Sequence, residues 1–156
     1  MYIFDWRFCK ERIMKTIQQL LATKKHQEVI SIAPHRPVFD ALVVMAEYEI
    51  GALMVLEGDK LVGIFSERDY AREVVLKGKS SKTTAVSEVM TANVISVKLG
   101  DTVEQAMTVM TEKRIRHLPV LDNTKVVGML SIGDLVKETI AYQQGLIKQL
   151  ESYITG

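Results

Sequence analysis

The sequence predicts an α+β fold in which one β-α-β-β-α unit occurs twice. The first observation behind this prediction is an internal repeat, because residues 29–69 match residues 94–134 at a constant offset and without gaps. The second is that short β-branched or apolar stretches alternate with stretches whose apolar residues fall on one helical face. Two copies are too few for a solenoid, so we expect two halves packed about a pseudo-twofold axis. A duplication kept only for core burial is the alternative.

Each copy gives the same series of elements. A short β-branched strand is followed by a segment containing Pro or Gly and then by a helix, and Thr102 with Gln105 indicates a capping box at the start of the second copy's helix. Two apolar strands joined by a hairpin turn come next, and a further helix begins near Ser66 and near Ser131. The predicted strands are 29–32, 52–56 and 61–65 in the first copy and 94–97, 118–121 and 126–130 in the second, with hairpin turns at 57–60 and 122–125.

Further segments flank and join the two copies. Residues 12–24 read as an amphipathic helix, residues 77–84 as a polar linker, and the C-terminal stretch carries Ile140, Ile147, Leu150 and Ile154 on one side, interrupted by Gly145. We expect the flanking helices to cover the sheets or to pair two chains. The predicted division is a helical extension at 1–25, a first domain at 26–80, a linker and second domain at 81–142, and the end of a C-terminal helix at 143–156.

Composition excludes several classes of function. The chain has 156 residues, is 47% apolar, carries a formal charge of +1 and contains a single cysteine, Cys9. Near-neutral charge argues against electrostatic binding to nucleic acid or to an anionic membrane, and no apolar run approaches the roughly 20 residues that span a bilayer. A lone thiol gives no sign of an oxidising compartment, so a cytoplasmic location is expected.

A repeated Gly-x-x-Ser-x-x-Asp pattern lies where each copy's last strand runs into a helix. It occurs as Gly63 to Asp69 and again as Gly128 to Asp134. One interpretation is structural, because a serine N-cap with a carboxylate three residues later forms a capping box. The other is ligand binding, because a helix N-terminus suits phosphate and a carboxylate one turn on can accept both ribose hydroxyls. The two interpretations are compatible.

The repeat, the paired pattern and the segment Ile115-Arg116-His117-Leu118-Pro119-Val120 resemble a tandem pair of cystathionine-β-synthase (CBS) domains of the bacterial stand-alone type. The resemblance covers roughly residues 26–142, and Ser66-Glu67-Arg68-Asp69-Tyr70 and Val89-Met90-Thr91 add to it. It implies a non-catalytic module that binds an adenine nucleotide in the cleft between the halves. AMP is the first expectation, with ADP, ATP or NAD as alternatives, and no metal is implied.

The same resemblance implies roles for individual residues. Asp69 and Asp134 would hold the ribose, and Ser66 and Ser131 would contact ribose or phosphate. Residues leading into the first strand would flank the base and contact phosphate: Thr91, Val94, Ile95 and Ser96, with His26, Val29 and Ser31 as first-half equivalents. Residues at the second strand would close the pocket: Arg116, His117, Leu118 and Pro119, with Gly51 and Ala52 opposite.

The halves differ in ways that rank the two predicted sites. Arg116 and His117 stand where the first half has Gly51 and Ala52, so the second half has two donors for a phosphate. In the first half Arg68 replaces Gly133 and could supply the charge instead, while His26 replaces Thr91. We therefore predict the second site to be the more complete, although the basic residues near Arg116 also fit an ordinary solvated face.

No catalytic set is recognisable. The three histidines lack metal-ligand spacing, and neither a Walker phosphate loop nor a dinucleotide glycine motif is present. The preferred interpretation is a regulatory sensor that signals to an unidentified protein and forms a homodimer. The alternatives are a dimeric interaction scaffold with vestigial ligand clefts and an enzyme of unknown type.

Overall fold

The computed structural model describes residues 15–24 and 28–155, and it confirms the predicted α+β class. The elements in chain order are α1 (Ile17–Thr23), β1 (Ser31–Ile32), α2 (Val38–Tyr48), β2 (Ala52–Glu57), β3 (Lys60–Ser66), α3 (Glu67–Asp69), a π-helical segment (Tyr70–Val75), α4 (Val86–Val89), β4 (Val97–Lys98), α5 (Val103–Lys113), β5 (His117–Asp122), β6 (Lys125–Ser131) and α6 (Ile132–Thr155). Two three-stranded sheets have the orders β1-β2-β3 and β4-β5-β6.

The described chain forms two compact units. One contains residues 28–96 together with 119–129, which make up most of the second hairpin. In its first sheet β1 pairs with β2 in parallel and β2 pairs with β3 in antiparallel register, with an irregularity between Val55 and Leu56. Apolar residues of α2, β2 and β3 form the core, where Leu53, Val55 and Phe65 are completely buried. This core fixes the end of β3, from which Ser66 starts the next helix.

The other unit contains the described residues before 28, residues 97–118 and residues from 130 onward. Its buried side chains come from α1, α5, the hairpin base and the start of α6, and include Ile17, Val103, Met110 and Leu135. Helix α5 packs against α6, and the Thr139 hydroxyl lies 3.1 Å from the Met107 sulfur. The first two turns of α6 are thereby held against α5.

Two pairs of backbone positions show how closely the copies repeat. The C-caps of α2 and α5 are Glu49 and Arg114, both left-handed with φ of 54° and 53°. The hairpin turns contain Gly58 and Asn123, with φ of 61° and 57°. Glycine adopts this region freely, and asparagine tolerates it better than most residues. The two turns therefore share a left-handed backbone conformation although the residues differ.

The helices α2 and α5 begin in different ways. Thr102 caps α5 in the predicted capping box, accepting from the Gln105 N–H at 3.1 Å while its own N–H donates to the Gln105 side chain at 2.8 Å. Pro37 precedes α2 and makes no side-chain cap. Instead the N–H groups of Val38 and Phe39 donate to carbonyls of the predicted linker. The segment predicted to link the two halves is thus hydrogen-bonded to the start of α2.

Several predicted boundaries are wrong for identifiable reasons. The first strands are two residues long, because in β1 only Ser31 and Ile32 find partners on β2. Helix α1 begins at Ile17, where Thr16 caps it through Gln19, and residues 12–14 of the predicted helix lie outside the described residues. The short helix α4 was not predicted, since one turn is too short for a periodic signal. Helix α6 continues through Gly145, because one glycine costs only about 1 kcal/mol in a helix.

Candidate functional site

Ser66 and Asp69 form a complete capping box at the start of α3. The Asp69 N–H donates to Ser66 Oγ at 3.2 Å, and the Ser66 N–H donates to Asp69 Oδ2 at 2.9 Å. The Ser66 hydroxyl also donates to Oδ2 at 3.0 Å. Both side chains are partly buried. The structural interpretation of the repeated pattern is therefore confirmed in the first half.

Thr91 completes this cluster on the other carboxylate oxygen. Its hydroxyl donates to Asp69 Oδ1 at 3.2 Å, and its backbone is held beside β3 by two hydrogen bonds with Ile64, at 2.8 and 3.0 Å. Gly63 permits this approach, because a Cβ there would lie 2.5 Å from the Met90 sulfur and 3.1 Å from the Thr91 carbonyl oxygen. The sequence grouped Thr91 with the second half, whereas the structure brings it to the carboxylate of the first.

Ser131 and Asp134 repeat the arrangement at the start of α6. The Asp134 N–H donates to Ser131 Oγ at 3.2 Å, and the Ser131 N–H donates to Asp134 Oδ2 at 2.8 Å. The Lys24 ammonium donates to the same Oδ2 at 3.0 Å. Lys24 is a contact that the sequence did not reveal, because it lies 110 positions away from Asp134 and belongs to no repeated motif.

The environment of Asp134 favours its charged form. Burial by itself would raise the pKa of this carboxyl, but the Ser131 backbone N–H and the Lys24 ammonium outweigh burial, so the pKa lies below its ordinary value. The hydrogen bonds from the Ser131 N–H and from the Lys24 ammonium both fall on Oδ2. The carboxylate is therefore ionised at neutral pH and can accept hydrogen bonds from hydroxyl groups.

The starts of α3 and α6 offer a phosphate fewer N–H donors than the sequence predicted. The Glu67 N–H donates to the Gly51 carbonyl at 3.0 Å, and the Ile132 N–H donates to the Arg116 carbonyl at 2.8 Å. The serine hydroxyls occupy the third N–H of each helix. At both helix starts, most backbone N–H groups therefore already donate to other groups of the protein. The positive charge that balances a bound phosphate must then come mainly from side chains.

The remaining predicted site residues occupy varied environments. Arg116 is exposed and His117 is half-buried at the start of β5, whereas Leu118, Pro119 and Ala52 are buried within strands. Gly51, Val94 and Ile95 are half-buried, and the exposed positions are Val29, Ser31, Arg68, Ser96 and Gly133. His26 lies outside the described residues.

Two properties of the described residues bear on the class of site. Among residues 15–24 and 28–155, no three histidine, cysteine or carboxylate side chains gather closely enough to bind a metal ion. None of the helices in the described part of the chain combines the length and apolarity that crossing a bilayer requires.

Comparison with known families accounts for the duplicated unit. The sequence model of the CBS domain matches this chain twice, at residues 21–76 and 86–140. The chain belongs to the CBS-domain family. CBS domain pairs are regulatory, ligand-binding modules of signal-transduction proteins, and this confirms the resemblance read from the repeated motif.

Relatives and solved structures agree on the family. CBS domain-containing protein CBSX3 of Arabidopsis thaliana, described as mitochondrial, is 40% identical over 124 residues, or 76% of this chain and 60% of the relative. CBS domain-containing protein YhcV of Bacillus subtilis is 30% identical over 78% of this chain and 84% of its own length. The chain thus spans less than two thirds of the Arabidopsis protein and most of the Bacillus one.

Two solved structures are similar along nearly their whole length. The CBS domain NE2398 is 50% identical with a TM-score of 0.78, covering 82% of this chain and 99% of that one. A Burkholderia ambifaria protein with CBS domains, named for signal transduction, is 48% identical with a TM-score of 0.79, covering 81% and 95%. These names point to a non-catalytic module.

Proposed function

We propose that this CBS domain pair is a regulatory module that binds an adenine nucleotide and performs no chemistry on it. AMP is the proposed ligand, and ADP, ATP and NAD are the alternatives. The observation that carries the proposal is the pair of serine–aspartate clusters, Ser66 with Asp69 and Ser131 with Asp134, at equivalent positions of a duplicated ligand-binding fold. CBS domains commonly bind adenine nucleotides, which supports this choice of ligand class.

In the second half, Asp134 is proposed to hold the ribose. Its lowered pKa keeps the carboxylate ionised at neutral pH, so it can accept hydrogen bonds from the ribose hydroxyls. Lys24 already neutralises part of this charge through Oδ2. A ribose that also needs Oδ2 would have to displace the ammonium, which could then pair with a phosphate. Arg116, exposed at the start of β5, is the second proposed phosphate partner because a guanidinium binds phosphate in a fork.

In the first half, Asp69 is proposed to hold a ribose less readily. Three hydrogen bonds from Ser66 and Thr91 already use both of its oxygens, so a ligand must share or replace the Thr91 bond. Arg68 is exposed one residue before the aspartate and is the cation proposed for a phosphate. This difference between the clusters supports the second half as the higher-affinity position.

Ligand binding is proposed to act by biasing the conformation of the module, which an unidentified partner protein reads. The size of that bias cannot exceed the difference in ligand affinity between the two conformations. A ligand that bound both equally would stabilise the protein without signalling.

Thermal melting of the full chain with AMP, ADP, ATP and NAD tests the proposal. A ligand at about 100 times its dissociation constant should add about 2.7 kcal/mol, and about 2–4 °C per kcal/mol predicts a rise of roughly 5–11 °C in Tm. Asp134→Ala should lose most of that rise. Asp122→Ala, at an exposed hairpin position, is the matched control and should keep it. Equal responses in both variants would refute the assignment of Asp134.

A homodimer is the proposed assembly, and a dimeric scaffold with vestigial ligand clefts is the second candidate function. The scaffold is favoured by the exposed apolar residues of α6, among them Leu150, Tyr153 and Ile154. Light scattering measures the mass of the assembly. A dimer that responds to none of the four nucleotides would favour the scaffold over the sensor, and product formation from AMP, ATP or NAD would contradict both.

A further inference from the structure

The part of α6 beyond Thr139 presents apolar side chains that its own unit does not bury. At the start of the helix Leu135 is completely buried and Thr139 contacts Met107. Farther along, Ile140 is 50% exposed, Ile147 54% and Leu150 57%. A water-facing isoleucine is ordinary when single, but a row along three helical turns indicates a surface that another element covers.

The exposed residues follow a coiled-coil heptad. Positions Val136, Ile140, Gln143, Ile147, Leu150 and Ile154 are separated by alternating steps of four and three, which keeps them on one seam of the helix. At 3.6 residues per turn, this seam lies roughly 90° around the helix from the line of Leu135 and Thr139. The seam is therefore distinct from the face that packs on α5.

We infer that this seam pairs with the same seam of a second copy of the chain, as a parallel two-stranded coiled coil. Isoleucine occupies every a position from Ile140 to Ile154, and Val136 and Leu150 occupy d positions. Among parallel coiled coils, isoleucine at a with leucine at d favours two strands, and one of the d positions here, Leu150, is leucine. The inference deepens the homodimer proposed above and rests on it, but it does not depend on nucleotide binding.

The one polar seam residue also fits an identical partner in register. Gln143 occupies a d position, and its amide carries both donors and an acceptor, so two copies facing each other can bond to one another. The only charged residues from 140 to 155 are Lys148 and Glu151, and neither lies on the seam. A second copy therefore meets no like charge across the pair, and no charge pattern calls for an acidic or basic partner.

Disulfide trapping in the full-length chain tests the pairing. In a Cys9→Ser background, Leu150→Cys places a thiol on the seam, and Ser152→Cys places one on the opposite side of the same turn. A disulfide requires Cα atoms within about 7 Å, so mild oxidation should link Leu150→Cys chains more than about tenfold faster than Ser152→Cys chains. Adding Ile147→Asp, at an exposed position that the fold does not need, should abolish the link while the melting curve stays cooperative.

The orientation is tested by mixing chains. In a parallel pair, Leu150→Cys links to itself and not to Ile140→Cys, whereas an antiparallel pair would give the reverse, which would overturn the inference. Equal linking of Leu150→Cys and Ser152→Cys, or no linking in a protein whose light-scattering mass is a dimer, would also overturn it and place the dimer contact elsewhere. A monomeric mass at every concentration would contradict the homodimer itself, and would leave another segment or protein to cover the seam.

Discussion

Replacing Asp134 by alanine tests the physical account of the second cluster through stability alone. The substitution removes the acceptor for the Ser131 N–H and the partner of the Lys24 ammonium at once. Unlike the ligand experiment, it requires no knowledge of what the protein binds. It therefore asks whether the observed contacts stabilise the fold.

The expected loss follows from the contacts. A hydrogen bond to a charged acceptor contributes about 1.5 kcal/mol, and the ion pair, with side chains 31% and 25% exposed, adds about 0.5 kcal/mol after solvent screening. Alanine's higher helix propensity offsets about 0.5 kcal/mol. The net loss of about 1.5 kcal/mol should lower Tm by about 3–6 °C at pH 7.

The same loss should depend on pH. The pKa of Asp134 is lowered in the folded protein, so its carboxylate stabilises the fold above the unfolded pKa of about 3.9. That contribution is lost as pH falls through the folded pKa, which lies lower still. The Tm gap between wild type and Asp134→Ala should be full at pH 7 and should narrow below about pH 4.

A double-mutant cycle isolates the ion pair. Lys24→Met keeps the aliphatic stem, and its coupling to Asp134→Ala should be about 0.5 kcal/mol in dilute buffer and smaller in high salt. Asp122→Ala is the control and should change stability by less than about 0.5 kcal/mol. If Asp134→Ala costs no more than this control, or if the cycle shows no coupling, the reasoning about this cluster is refuted.

Three further substitutions test other parts of the fold by chemical denaturation. Gly63→Ala should cost about 1–3 kcal/mol of stability, because its Cβ would press on the Met90 sulfur and the neighbouring backbone. Gly100→Ala is the control, because Gly100 faces open space, and it should be neutral or slightly stabilising. A tolerated Gly63→Ala would show that the Met90 segment moves freely. Thr102→Ala should cost about 1 kcal/mol by removing the cap of α5, and no loss would mean that the backbone bonds suffice. Phe65→Ala, which truncates a large and completely buried side chain, should cost about 3–5 kcal/mol, and a loss below about 1 kcal/mol would contradict its place in the core.

The elements with strong local signals were predictable. The helix from Val38 and the capping box at Thr102 were expected from apolar spacing and from residue types three positions apart, and both are observed. The serine–aspartate boxes were likewise expected, because all their partners lie within three residues. Boundaries were less predictable wherever a remote partner decides them, as for β1, whose length is set by its pairing with Met54 and Val55.

The sequence by itself determined the duplication, the family and the identity of the two capping boxes, since these depend on residues repeated or adjacent along the chain. Only the tertiary structure decided which remote groups share the carboxylates. Thr91 meets Asp69 from 22 positions away, and Lys24 meets Asp134 from 110. Neither contact produces a periodic pattern in the sequence. A hydrogen bond between distant segments depends on the packing of many other side chains, and local propensity does not encode that packing.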